Sequence, residues 1–200
     1  MSGSHHPMMR WALILDRPHA EAVTEILNTN SARIIAVVGG ALLEDTIEHT
    51  LEVRLRDDPG VAYRMIGIDR PLGNVGPQID MLYLLHAIDN TTRTILSALT
   101  KIRNFFAHHL VANSFDDPDE KLQTPIEDLR LHDKRTHWPH HLYPEDTGEP
   151  LPPVRSTQDR FLVNLQLGLI LLMRDRVAHN PHSNERRKLK AIKAHFEKPG

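Results

Sequence analysis

Apolar positions recur at helical spacing along most of the chain. The clearest case is residues 91–110, TTRTILSALTKIRNFFAHHL, where Ile95, Leu99, Ile102 and Phe106 follow one another at steps of four, three and four. That is the period of a helix face that packs into a core. Thr91, or Asn90 before it, stands where it can cap the first turn. An earlier helix is expected from Ala32 to about Arg56. Its first half is almost wholly apolar (Ile34, Ile35, Val37, Val38, Ala41, Leu42), and in its second half Leu43, Ile47, Leu51 and Leu55 lie four apart. Gly39-Gly40 in its middle costs roughly 1 kcal/mol of helix propensity per residue relative to Ala. The expected return is the close approach of another helix.

A third helix spans 156–179. Ser156-Thr157-Gln158-Asp159 reads as its start, with Asp159 where a capping box carries its acid. Phe161, Leu162, Leu165, Leu169, Leu172 and Met173 cover more than one face, which predicts a central, buried helix. Asn180-Pro181 stops it. Shorter helices are expected from Pro18 to Asn28, over Val61–Ile66, and over 77–88 with Ile79, Leu82, Tyr83 and Leu85 inward. Short β-branched runs do not alternate with helices, so a parallel sheet is not expected. The fold class is all-α: a helical bundle with one long Pro/His-rich loop. Helices 32–56, 77–88, 91–110 and 156–179 form its core. The loop, 113–155, holds seven of the fourteen prolines and few apolar residues. The division along the chain is an N-terminal segment with a short helix (1–30), an all-helical domain (31–181) and a basic tail (182–200).

Composition narrows the function. An apolar content of 40% suffices for a real core. The net charge of −2 argues against a general nucleic-acid coat. From Ser183 onward there are six Lys/Arg against two Glu, or +4, so the remainder carries −6. With no cysteine there is no disulfide framework and no thiolate chemistry, which suits a reducing cytoplasm. No apolar run reaches membrane-spanning length, and the start lacks the regions of a signal peptide. The expectation is a cytoplasmic protein with no membrane partner.

Candidate chemistry concentrates at the end of the 91–110 helix. Asn104 and His108 are one turn apart and share a face. Arg103 lies about 100° round the helix from Asn104, yet its long side chain can reach the same spot. A guanidinium, an amide and an imidazole there can bind an anion, act on a phosphodiester or anchor a carboxylate. Glu44, Glu48 and Glu52 form a carboxylate stripe on the 32–56 helix. Arg56 can serve Glu52, while Glu44 and Glu48 lack a cation one turn on, and Arg103 is their candidate partner. His132, His137, His140 and His141 cluster in the loop, but their spacing matches no standard zinc pattern. No metal and no cofactor is expected. Residues 67–74 lack the terminal Gly-Lys-Ser/Thr of a phosphate-binding loop and read as a helix–helix connector. A second Arg, four residues, His occurs at Arg174 and His179, and reads as coincidence or as a structural anchor.

Two resemblances follow from these residues. Gly-Ala-Leu-Leu-Glu-Asp, Asp-Asp-Pro, Pro-Leu-Gly, Gln-Ile-Asp-Met-Leu-Tyr-Leu-Leu, Ile-Arg-Asn-Phe-Phe-Ala-His and Phe-Asp-Asp-Pro occur between Ile34 and Pro118. Their order resembles the mannitol operon repressor (MtlR-like) family. That resemblance implies an all-helical protein of transcriptional regulation, without a helix-turn-helix. Arg103-Asn104 followed by His108 is similar to the Arg-x4–6-His motif of HEPN domains, helical modules that often dimerise. In active members the Arg and His attack RNA without a metal. The expected function is a non-enzymatic regulatory protein of the mannitol-repressor type, acting through a protein partner or as a homodimer. Glu44, Glu48, Arg103, Asn104 and His108 are then a structural or functional cluster, and DNA binding is weak or absent. The alternative is a HEPN-type metal-independent endoribonuclease or toxin component. In it Arg103, Asn104 and His108 are catalytic, Arg103 stabilises phosphate charge, His108 is the general acid/base and RNA is the substrate.

Overall fold

The computed structural model describes residues 17–55, 59–66, 69–131 and 154–179. The start of the N-terminal segment, the histidines at 132–141 and the basic tail lie outside the described residues. Among the described residues the chain is all helix and turn. The helices are α1 (Arg17–Asn28), α2 (Ala32–Arg54), α3 (Pro59–Met65), α4 (Val75–Leu84), α5 (Asn90–His108), α6 (Glu120–Glu127) and α7 (Thr157–His179). None of these helices is long and apolar enough to cross a membrane.

The ends follow capping chemistry. Ser31 caps α2, its hydroxyl accepting from the Ile34 amide. At α5 the cap is Asp89, not Thr91 or Asn90. Its carboxylate accepts from the Thr92 amide at 2.7 Å, and the helix begins at Asn90. A carboxylate outcompetes a hydroxyl here because it also meets the positive end of the helix dipole. At α7 the capping box forms as the sequence predicts. The Asp159 amide donates to the Ser156 hydroxyl at 3.0 Å, and the Asp159 carboxylate accepts from the Ser156 amide at 3.1 Å. Helix α4 starts at Val75, so Pro77 sits in its first turn, where an amide would have no helical acceptor. It ends at Leu84, four residues short of the expected span. His86 there takes a left-handed conformation, φ 54°, and turns the chain toward α5.

Helix α2 is the centre of the bundle, and its glycine pair is the reason. A Cβ on Gly39 would stand 2.7 Å from a Leu165 methyl and 3.6 Å from the Phe161 ring, so α7 crosses there. A Cβ on Gly40 would stand 2.6 Å from the Cβ of Arg103, so α5 crosses one residue later. Two helices thus meet adjacent bare backbone on different faces of one helix, the close approach that offsets the propensity cost. Contacts further along set the directions. Arg54 of α2 meets Asp175 of α7, so these two run parallel. Arg33 of α2 meets Phe106 of α5, so these run antiparallel. Gly168 of α7 completes the triangle, with a Leu96 methyl 3.0 Å from where its Cβ would be.

The periodic apolar residues fill the space between. Leu43, Ile47, Leu51, Ile95, Leu99, Ile102 and Phe106 are almost fully buried, as are Phe161, Leu165, Leu169, Leu172 and Met173. Each such side chain contributes roughly 1.5–3 kcal/mol relative to staying in water. Phe106, Phe115 and Phe161 form a chain of rings with centroids 5.1 and 5.0 Å apart, joining α5 to α7.

The first half of the expected 113–155 loop is corrected. Residues 120–127 form helix α6, capped by Asp119, and Phe115, Leu122, Ile126, Leu129 and Leu131 are buried. Asn164, fully buried in α7, accepts from the Leu131 amide at 2.8 Å and donates to the Arg160 carbonyl at 2.7 Å. It fastens the segment after α6 onto the bundle. Five apolar residues scattered among charges and prolines over 115–131 make no long period, so this satellite helix does not announce itself. Residues 132–153 lie outside the described residues.

Candidate functional site

Helix α5 carries the Arg-Asn-Phe-Phe-Ala-His segment in its last two turns. Phe105 and Phe106 are buried there, with rings edge to face at 5.6 Å. Packing those two rings fixes the rotation of the helix end. It leaves Asn104, Ala107 and His108 exposed and Arg103 on the border of the α2 contact.

Arg103 is held in three ways. Its Cβ, Cγ and Cδ lie along the bare backbone of Gly40. Its Nη1 donates to the Asn104 side-chain carbonyl at 2.9 Å. Its Nη2 stands 3.5 Å from the Glu44 carboxylate. Arg103 and Glu44 are both about a third exposed, 30% and 31%. A pair that open to water is worth about 0–1 kcal/mol, so the contact of the stem with Gly40 is the larger tie. The Arg103 Nε is shut off from water and has no hydrogen-bond partner among the described residues.

The expected cluster therefore assembles in part. Glu44, Arg103 and Asn104 come together. Glu48 is exposed and takes no part in the Arg103 ion pair. His108 is exposed, and no hydrogen bond or ion pair ties it to Arg103 or Asn104 among the described residues. The reason is angular. Five residues along a helix amount to about 140° of rotation, and α5 stays helical through His108, so its end neither kinks nor frays to bring the two together. The imidazole that does find partners is His109, which stacks on Phe105 at 4.2 Å and sets its Nδ1 2.9 Å from the Phe105 carbonyl oxygen.

The residue that organises the end of α5 is Arg33. Its guanidinium donates to the Phe106 and His109 carbonyls at 2.6 Å each and to the Ala112 carbonyl at 3.2 Å. A positive fork thus caps carbonyls at the negative end of a helix. A sequence signal exists. Arg33 stands in the first turn of α2, where a helix dipole disfavours a cation, beside an apolar run that gives it no local anion. A cation so placed has its partner elsewhere in the fold.

The second Arg-x4-His also resolves. Asp175, inside that motif, is its anchor. The Arg54 Nε donates to one carboxylate oxygen at 2.7 Å and Nη2 to the other at 2.6 Å, with side-chain exposures of only 15% and 10%. His179 sets its Nδ1 3.5 Å from the same carboxylate. The anchor here is Asp175, which is not one of the two motif residues; His179 joins it at the edge, and no hydrogen bond or ion pair ties Arg174 among the described residues.

No family model matches the chain, and neither a curated protein nor a solved structure is found to match it.

Proposed function

We propose that this chain is a non-enzymatic regulatory protein of the mannitol-operon-repressor type. It is cytoplasmic and acts in transcriptional regulation through a protein partner or as a homodimer. The resemblance of residues 34–118 to that family supplies the biological class. The observation that carries the mechanism is the state of Arg103. Its stem is wedged on Gly40, and its guanidinium is shared between Glu44 and Asn104. A guanidinium already facing a carboxylate is a weaker phosphate ligand, and the Arg-Asn segment then serves as a joint between α2 and α5. The exposed carboxylates of α2 also disfavour DNA on that side.

Two measurements test the reading in the host. Transcripts of the sugar-alcohol uptake operon are compared with the gene intact and deleted, and the purified chain is titrated onto the operator duplex. The reading expects changed transcripts and no nanomolar, sequence-selective binding at physiological salt. Unchanged transcripts overturn it. So does nanomolar operator binding that survives removal of residues 183–200.

The second reading is the HEPN-type metal-independent endoribonuclease. It has two observations on its side: His108 faces water, and the buried Arg103 Nε has no acceptor among the described residues. Against it stands the separation of the two groups round the helix. One chain would have to borrow the missing partner from a second subunit.

A further inference from the structure

Two apolar segments come together at one end of the bundle. The turn after α5 carries Leu110 and Val111, 84% and 92% exposed, more than any other large apolar residue among the described residues. Arg33 donates to the carbonyls of Phe106, His109 and Ala112, and the Ala112 amide donates to the His109 carbonyl. Those bonds hold the turn beside the first turn of α2, where Ile34 is exposed. From Ile34 an outward stripe runs along α2 through Val38, Ala41, Asp45, Glu48 and Glu52, at steps of four, three, four, three and four. All but the half-buried Val38 are exposed. The stripe is apolar as far as Ala41 and acidic after it. Ala107, exposed one turn beyond Arg103, borders it from α5.

We propose that a second copy of the chain docks on this apolar end, turned end over end about a two-fold axis that crosses α2 beside Val38. The two α2 helices then lie antiparallel, with Ile34 of each copy on Ala41 of the other and the two Val38 side chains at the axis. Leu110 and Val111 of each copy rest on the outer face of the other's α5. The proposal deepens the homodimer arm of the functional reading and rests on it.

Charge selects this partner and this arrangement. Asp45 comes beside Asn30 at the start of the partner's α2, the positive end of that helix dipole. Glu48 and Glu52 lie beyond the overlap. At 1.5 Å per residue the two Asp45 carboxylates end about 20 Å apart, more than two Debye lengths of about 8 Å at physiological salt. A parallel pairing would set each carboxylate opposite its own counterpart. A duplex or an anionic bilayer would meet Asp45 and Glu48 together with the apolar residues and be repelled by them. The overlap is about 20 Å long and two helices wide. That is the small end of specific interfaces, so the dimer is weak and concentration-dependent.

The test uses the full chain, which has no native cysteine. Sedimentation of the wild type from about 10 µM to about 500 µM, the range of weak affinities, should show monomer giving way to dimer. Under mild oxidation Val38→Cys should form disulfide-linked dimers at least ~10-fold faster than Glu52→Cys. The first pair meets at the axis, whereas the second stands about 40 Å apart. Leu110→Asp, alone and with Ile34→Asp, should weaken the dimer at least ~10-fold, because each copy then buries a carboxylate among apolar residues. The melting temperature of Leu110→Asp at low concentration should stay that of the wild type, since Leu110 is exposed in the single chain. A dimer that Leu110→Asp leaves as strong as before, or equal linking at the two cysteine positions, overturns the proposal and leaves the homodimer arm standing. A wild type that stays monomeric throughout overturns both, and the operon transcripts then test the protein-partner arm by themselves.

Discussion

The Cβ of Arg103 lies 2.6 Å from the place a Cβ would occupy on Gly40, so these two residues set how closely α5 lies on α2. The neighbouring Gly39 is crowded differently, by the far methyl of Leu165 at 2.7 Å. A methyl at the end of a side chain can rotate aside, whereas a Cβ moves only with its backbone. Gly40→Ala should therefore destabilise the fold by about 1–3 kcal/mol through overpacking, less the roughly 1 kcal/mol gained in helix propensity. Gly39→Ala should cost less than Gly40→Ala. Urea denaturation of the two variants measures the order, and the reverse order would show that α5 does not rest on Gly40.

Arg33→Ala should cost about 2 kcal/mol, because charge-assisted hydrogen bonds to three carbonyls are lost at once. Arg33→Lys should recover less than half of it, since an ammonium is a point donor and cannot fork across several carbonyls. Hydrogen exchange adds a local readout. Amides at 109 and 112, which donate to Phe105 and His109, should lose protection before the core of α2 does.

The Arg54–Asp175 pair is bidentate and mostly shielded from water. Truncating one partner leaves an unpaired charge near the core. Asp175→Ala should then cost about 3 kcal/mol, while the double change Arg54→Met with Asp175→Leu should cost distinctly less. Thermal unfolding of both proteins settles the sign. A double variant that is no more stable than Asp175→Ala would contradict the pairing.

The long helices were legible because they bury whole faces, and a buried face writes its period into the sequence. Ile95, Leu99, Ile102 and Phe106 sit where that period puts them, and the Gly39-Gly40 contact follows from the cost of placing two glycines mid-helix. Pairings across the fold were legible only where one side had no local alternative. Glu44 with Arg103 could be named that way, and its weakness could not, because exposure depends on packing. Arg33 and Asn164 escaped notice because their partners are backbone groups 73 and 33 residues away in the chain. Backbone acceptors carry no residue signature. Helix α6 escaped because its buried side is only Leu122, Pro125 and Ile126, and a proline inside it hides the short period among prolines and charges.

The central claim is that Arg103 serves as a joint and not as a phosphate ligand. The direct measurement incubates the purified chain with total RNA in EDTA, with Arg103→Ala and His108→Ala alongside, and records the melting temperature of each. The account predicts intact RNA in all three samples. It also predicts a melting temperature lowered by roughly 2–4 °C for each kcal/mol of packing that Arg103→Ala removes, with little change for the exposed His108. RNA cleaved by the wild type and spared by both variants, with all three melting temperatures equal, would contradict it and make Arg103 and His108 the catalytic residues of a ribonuclease.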